Sequence, residues 1–220
     1  MDSVTVYDRQ RKLGLSVPKA ASVVGCGGVG AWVGIDLALS GVEKLCLFDD
    51  DMLEYHNLNR LPFTADDVGK PKVDILKDFI QERRPHIAIR TFGKVSEMTK
   101  SMLEGAVVDC TDKLAAQKLI YDGCQSKKLR YYRVGYDGNH ITIFDAKHPK
   151  SPKPKKVWDD GSGRDGYTIV SSWAAPPQMI ASMITYMICY PNRQFPPLSG
   201  DIGEIMNGAS KYLSEGQTLG

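Results

Sequence analysis

Four glycines in this chain stand where backbone could approach a phosphate. Gly25, Gly27 and Gly30 form G-x-G-x-x-G, and Gly28 is an extra glycine inside the pattern. The first glycine permits a tight turn and the second lets main-chain N–H groups reach phosphate oxygens. The third allows close packing of helix on strand. About 20 positions further on comes Asp49, the first of three consecutive carboxylates with Asp50 and Asp51. An acid at that distance holds a ribose hydroxyl in nucleotide-binding folds. A glycine-rich turn that merely packs is the alternative, and it leaves the acid without a purpose.

The flanking residues supply elements to position these groups. Ser22-Val23-Val24 is a short β-branched run bounded by glycine and reads as a buried strand. Ala31 to Leu39 carries Trp32, Ile35 and Leu39 at helical spacing, with Gly41 as a stop. Such a helix would point the positive end of its dipole at the phosphate. Lys44 to Phe48 is a second strand, delivering Asp49 at its end. Pro71 suits the first turn of a helix running to about Arg84, with Pro85 beyond it. Ile87 to Thr91 alternates like a strand, Thr99 to Leu103 is a short helix, and Ala106 to Val108 is a third buried strand. A helix over Leu114 to Ser126 and strands at Leu129 to Val134 and His140 to Phe144 follow, the last two joined by a hairpin at Gly138-Asn139. This alternation predicts an α/β, Rossmann-like, doubly wound and mostly parallel sheet, with antiparallel strands toward the C-terminal side.

Less is expected of the remaining stretches. Val4 to Leu13 is polar and basic and lies outside the sheet as an arm or short helix. Ala146 to Arg164, rich in Lys, Pro and Gly, reads as a long exposed connection. Pro177 to Ile188 is an apolar, Met-rich helix suited to a core or a subunit interface. Asp201 to Gly220 reads as a weakly patterned tail. The whole, 1–220, is expected to be one domain with an N-terminal arm over 1–19 and an exposed connection over about 146–172.

Bulk properties narrow the classes. The 220 residues include 28 Lys and Arg against 26 Asp and Glu, a net charge of +2. Nothing in that balance favours nucleic acid or a membrane surface as partner. No apolar run approaches the ~18 residues that span a bilayer, and the N-terminus lacks a signal-peptide apolar core, so a cytoplasmic location is expected. The five scattered cysteines include no C-x-x-C, which excludes a four-cysteine zinc site. His56, His86, His140 and His148 have no paired metal spacing.

Several stretches together resemble the adenylating domain of the ThiF/MoeB family, relatives of the ubiquitin-activating enzymes. They are YDRQ (Tyr7 to Gln10), VVGCGGVG (Val23 to Gly30), LFDDDMLEYHNLNR (Leu47 to Arg60), VGKPK (Val68 to Lys72) and DCTDK (Asp109 to Lys113). Their order and spacing agree from about Tyr7 to Phe144. The resemblance implies Mg-ATP-dependent activation of a C-terminal carboxylate, usually that of a ubiquitin-like carrier protein or peptide, as an acyl adenylate. It implies that Gly25, Gly27, Gly28 and Gly30 hold the ATP backbone and that Asp49 takes the ribose hydroxyls. Asn57, Arg60 and Lys72 would reach the triphosphate, Asp51 fits a secondary position, and Asp112 would sit near Mg²⁺. Arg9 would reach the ATP of the neighbouring subunit in a homodimer.

The residue types suit that chemistry. An ionised carboxylate needs no general base to attack phosphorus; the step needs cations on oxygens that gain charge. Arg offers a planar fork and Lys a point charge, and one or two carboxylates suffice for Mg²⁺. Taken singly, the same residues have plainer readings. Lys72 is a solvated helix lysine, Asn57 and Arg60 cap and solvate a loop, and Asp112 caps the helix at Leu114. The chain departs from the resemblance in having no cysteine between Lys147 and Trp173, where many relatives form a thioester, and in lacking their zinc-binding cysteine pairs. Two other classes stay open: a non-catalytic nucleotide-binding scaffold subunit, and an NAD-dependent oxidoreductase.

Overall fold

The computed structural model describes residues 6–153 and 171–214. Seven strands form one sheet: β1 (Ala20–Val24), β2 (Lys44–Phe48), β3 (Ala88–Phe92), β4 (Ala106–Asp109), β5 (Arg130–Asp137), β6 (His140–Asp145) and β7 (Leu198–Asp201). Their order is β3-β2-β1-β4-β5-β6-β7, with the first five parallel and β6 and β7 antiparallel. The strand order reverses between β1 and β4, and that crevice, at the carboxyl ends of the strands, is where ligands bind in such sheets.

Both faces of the sheet are covered, so the central strands are apolar throughout rather than alternating. Leu45 and Leu47 of β2 enter one core, while Cys46 and Phe48 enter the other. The larger core lies under α1 (Gly28–Ser40), α2 (Lys72–Arg83) and α4 (Ala175–Cys189); the smaller lies under α3 (Leu114–Lys127). α1 is apolar on nearly all sides because it packs on the sheet, on α2 and on α4 at once. The Met-rich α4 is accordingly a core helix, with Ile180, Ala181 and Ile184 fully buried.

Two expectations need correction. The stretch from Asp201 is no weakly patterned tail: α5 (Ile202–Ser214) begins there, directly after β7. The connection after β6 is not wholly exposed either. Ser151 is buried and donates from Oγ to the Asp145 carbonyl at 2.6 Å. Most of that connection, 154–170, lies outside the described residues, as does the start of the N-terminal arm. The Thr99 to Leu103 helix is a 3-10 turn (Thr99–Met102). No helix among the described residues is long and apolar enough to cross a membrane.

Candidate functional site

The glycine turn follows β1 and opens α1. Gly25 has φ +88°, and a Cβ there would sit 3.0 Å from the Cys110 carbonyl oxygen; at Gly30 it would sit 1.7 Å from the Gly25 oxygen. A side chain at either position would prise apart β1, β4 and α1. The helix N-cap is Gly27, which supplies no side-chain cap, so the leading N–H groups of α1 point outward unsatisfied by their own turn. Positive potential collects there.

The acids after β2 are wired to this turn. Asp49 accepts from the Cys26 N–H through Oδ2 at 2.6 Å and from the Asp51 N–H through Oδ1 at 2.7 Å. Burial pushes the Asp49 carboxyl up from its usual value, while these two backbone donors and Lys72 pull it back. Asp51 in turn accepts from Lys72 Nζ at 2.8 Å. Lys72 is not a solvated lysine: it is 8% exposed, and its own N–H donates to the Asp51 carbonyl at 3.0 Å. Pro71, one residue before α2, forms a β-bridge with Met52 that brings the start of α2 against the acidic turn. Glycine turn, Asp49, Asp51 and Lys72 are therefore one hydrogen-bonded unit. Asp49, Asp50 and Asp51 lie within 4.8 Å of one another, but Lys72 and the turn's N–H groups already answer that charge.

Arg60 rests on the other side of the turn. A Cβ on Gly28 would be 3.2 Å from Arg60 Cδ and 3.3 Å from its Nε. Its Nη1 donates to the His56 carbonyl at 3.1 Å and to Asn59 Oδ1 at 2.8 Å, and its own carbonyl accepts from Trp32 Nε1 of α1 at 2.9 Å. No carboxylate pairs with it among the described residues, so its charge is left for an anion. Asn57 takes the plainer reading in part: it is buried, and its Oδ1 accepts from the Glu54 N–H at 3.1 Å to cap a 3-10 turn. Its side-chain NH₂ is what remains for a ligand.

Asp112 lies across the crevice, after β4, and is exposed. It is not the N-cap of α3; that position belongs to Lys113. The turn that presents Asp112 is held from beneath by fully buried Asp109. Asp109 accepts from Tyr131 Oη at 2.6 Å and from the N–H and hydroxyl of Thr111 at 2.9 and 2.7 Å. Burial raises the Asp109 carboxyl, and these donors oppose the rise. Gln117 donates to the Thr111 carbonyl at 3.1 Å and is gripped by Arg133 of β5. Asp109 and Thr111 lie in the DCTDK stretch quoted for the resemblance, without a role of their own; Tyr131, Gln117 and Arg133 were not singled out from sequence, where they lie in ordinary strand and helix stretches.

Arg9 is not at this site. Gln10 donates from Nε2 to the Ser40 carbonyl at 2.7 Å, and the Tyr7 ring lies against Gly41, so the YDRQ segment sits at the far end of α1. That helix has 13 residues, which sets the segment about 18 Å from its own glycine turn, more than an arginine side chain spans.

Burial disfavours the thiolate at all five cysteines. Burial pushes Cys124 up to about 12 and Cys26 and Cys110 well above the usual thiol range, with Cys46 and Cys189 also raised. The His56 ring faces Glu54, and the His140 ring faces Ser199 on the neighbouring strand β7.

A model of the ThiF family matches residues 6–188. Ubiquitin-like modifier-activating enzyme 5 of Drosophila virilis and that of Aedes aegypti are each 32% identical over 158 residues, 64% of this chain and 38% of their own length. The chain thus spans well under half of these curated relatives. Among solved structures, PaaA superposes with a TM-score of 0.65 at 22% identity, covering 84% of this chain and 64% of its own. E. coli MccB bound to ATP gives 0.64 at 17% identity with the same coverage. At these identities the structural likeness speaks for the fold.

Proposed function

This chain belongs to the ThiF family, and we propose that it is an ATP-dependent adenylyltransferase acting on the C-terminal carboxylate of a ubiquitin-like carrier protein or peptide. The observation that carries this reading is the joint geometry of Arg60 and Lys72. One cation, without a carboxylate partner among the described residues, lies on Gly28, and one buried cation is tied through Asp51 and Asp49 to Cys26 of the same turn. A dinucleotide oxidoreductase would use the glycine turn and Asp49 but has no need of two cations and an exposed acid around the phosphates. A non-catalytic scaffold subunit has no need of Asp112. The relatives named for modifier activation, and the MccB structure solved with N-formylated MccA, support a protein or peptide substrate.

In this reading the N–H groups at the start of α1 receive phosphate oxygens, and Asp49, with lone pairs still open, receives ribose hydroxyls. Arg60 and Lys72 stabilise charge on the triphosphate as an oxygen of the substrate carboxylate bonds to the α-phosphorus. The bond from that phosphorus to the β-phosphate bridging oxygen breaks, and pyrophosphate leaves with its electron pair. Asp112 fits Mg²⁺: it is an exposed hard-oxygen ligand opposite the turn, and Mg²⁺ is commonly bound through one or two carboxylates plus phosphate oxygens. When bound, the ion would neutralise charge on the departing pyrophosphate. Asn57 contributes through its side-chain NH₂. Arg9, too far from its own turn, serves the site of a second copy in a homodimer. Residues 1–220 act as a single adenylation domain in this scheme.

ATP–pyrophosphate exchange tests it. Exchange should appear with Mg²⁺ and one of a panel of carrier proteins or peptides, and vanish when that substrate's C-terminal carboxylate is amidated. Binding of NAD in place of ATP, with no exchange, would favour the oxidoreductase.

A further inference from the structure

The return of the connection after β6 is fastened beside the glycine turn by a chain of hydrogen bonds. Tyr136 of β5 reaches the start of α1: its hydroxyl would lie 3.0 Å from a Cβ on Gly28, the same point that Arg60 crowds from 3.2 Å. That hydroxyl pairs with Ser172 Oγ at 2.5 Å. The Ser172 carbonyl accepts from Asn59 Nδ2 at 2.9 Å, and Asn59 Oδ1 accepts from Arg60 Nη1 at 2.8 Å. Two further bonds hold the same strand of chain: Gly138 N–H donates to the Ser171 carbonyl at 3.1 Å, and Trp173 Nε1 donates to Asn139 Oδ1 at 2.9 Å. Tyr136, Ser172, Asn59 and Arg60 come from three separate parts of the chain, and the two ends of the series, Tyr136 and Arg60, meet over Gly28.

We infer that Tyr136 and Ser172 are positioning residues for Arg60. Arg60 has a long stem and, among the described residues, no carboxylate to fix its guanidinium. Its direction is set by two neutral acceptors, the His56 carbonyl and Asn59 Oδ1. Asn59 is itself exposed and held by the Ser172 carbonyl. Ser172 is held by Tyr136, whose ring packs against the main core beneath β5. The order of the core is in this way passed outward to a surface cation. A phosphate-binding arginine left to its own rotamers must be ordered when ligand arrives, which weakens binding. The inference rests on the reading of this crevice as a nucleotide site for its kinetic effect, but the mechanical coupling from Tyr136 to Arg60 does not.

Two measurements separate these. In the ligand-free chain, Tyr136→Phe keeps the ring and removes the hydroxyl. Hydrogen exchange should then quicken at the amides of 57–61 as well as at 171–173, whereas Ser172→Thr, which keeps the hydroxyl, should leave exchange at both stretches as in the native chain. Quickening confined to 171–173 would overturn the coupling whatever the site binds. With exchange kinetics, Tyr136→Phe should raise the KM for ATP about tenfold, the worth of one ordering hydrogen bond, while kcat changes less. In an Arg60→Ala background Tyr136→Phe should add no further loss. A second full loss there, with the amide coupling intact, would show that Tyr136 acts on the ligand itself and would overturn its role through Arg60.

Discussion

Lys72 is one-tenth exposed at its side chain while its partner Asp51 is two-thirds exposed, at 10% and 67%. Removing the lysine therefore leaves its direct partner solvated, and Asp49 keeps its two backbone donors. Lys72→Ala should abolish pyrophosphate exchange yet lower stability by only about 1 to 2 kcal/mol, read as unchanged circular dichroism and a small shift in the urea midpoint. Retained exchange would remove Lys72 from the phosphate site. A different acid has a pH-dependent effect on stability. Burial pushes Asp36 of α1 up to about 6 from a usual 3.8, with only a long contact to Ser182 at 3.5 Å opposing it. The folded chain binds that proton more tightly than the unfolded chain, so ionisation costs stability as pH rises from about 4 through 6. Asp36→Asn should then stabilise at pH 7 by about 1 to 2 kcal/mol after allowance for its partial exposure, and the gain should vanish below pH 4 in paired unfolding curves. At this scale the sequence was legible where residue type and spacing carry the chemistry, as at Asp49 and the glycines. It was silent on Tyr136, Ser172 and Gln117, because a neutral hydroxyl or amide acquires a role only from partners dozens of residues away.

Most elements were readable from local sequence, but the last two were not. β2 ends where its apolar run ends, and α2 begins after Pro71 and stops at Arg83, one turn signal ahead of Pro85. β7 spells LSGD, too short and too polar to alternate, and exists because β6 offers it an edge. α5 contains Gly203 and Gly208, which lower helix propensity, and packs on β7 all the same. Tertiary contact, not local preference, makes β7, whereas α5 has Ile202, Ile205 and Met206 at helical spacing, a pattern its glycines hid. The joint between β1 and α1 leaves no room for a side chain at Gly30. With a Cβ at Gly30 falling 1.7 Å from a backbone oxygen, Gly30→Ala should cost about 3 kcal/mol or more. A thermal melt would register it as a drop of several degrees, and a native-like midpoint would mean the turn has slack that its geometry denies.

The whole molecule is a sheet whose reversal point between β1 and β4 gathers β2's acids, α1's leading turn and β4's loop at one rim. Arg60 and Lys72, which flank the glycine turn, were picked out through the family resemblance and not from composition, since a net charge of +2 conceals how the cations are arranged. Arg9 belongs to this scale, because its effect requires a second chain. If it serves a neighbour's site, Arg9→Ala and Lys72→Ala are each inactive alone, but mixed and re-equilibrated they should regain about a quarter of native activity through dimers that carry one intact site. Absence of any regain, with sedimentation showing mixed dimers, would confine Arg9 to its own chain.

One helix spans the distance between those two duties. α1 starts at the glycine turn and ends at Ser40, whose carbonyl Gln10 holds. In a paired assembly it would be a rod with its own triphosphate at one tip and, at the other, the arm that attends its companion's. Loosening the distal tip, as Gln10→Ala would, should be felt least in the molecule that carries the change and most in the one beside it.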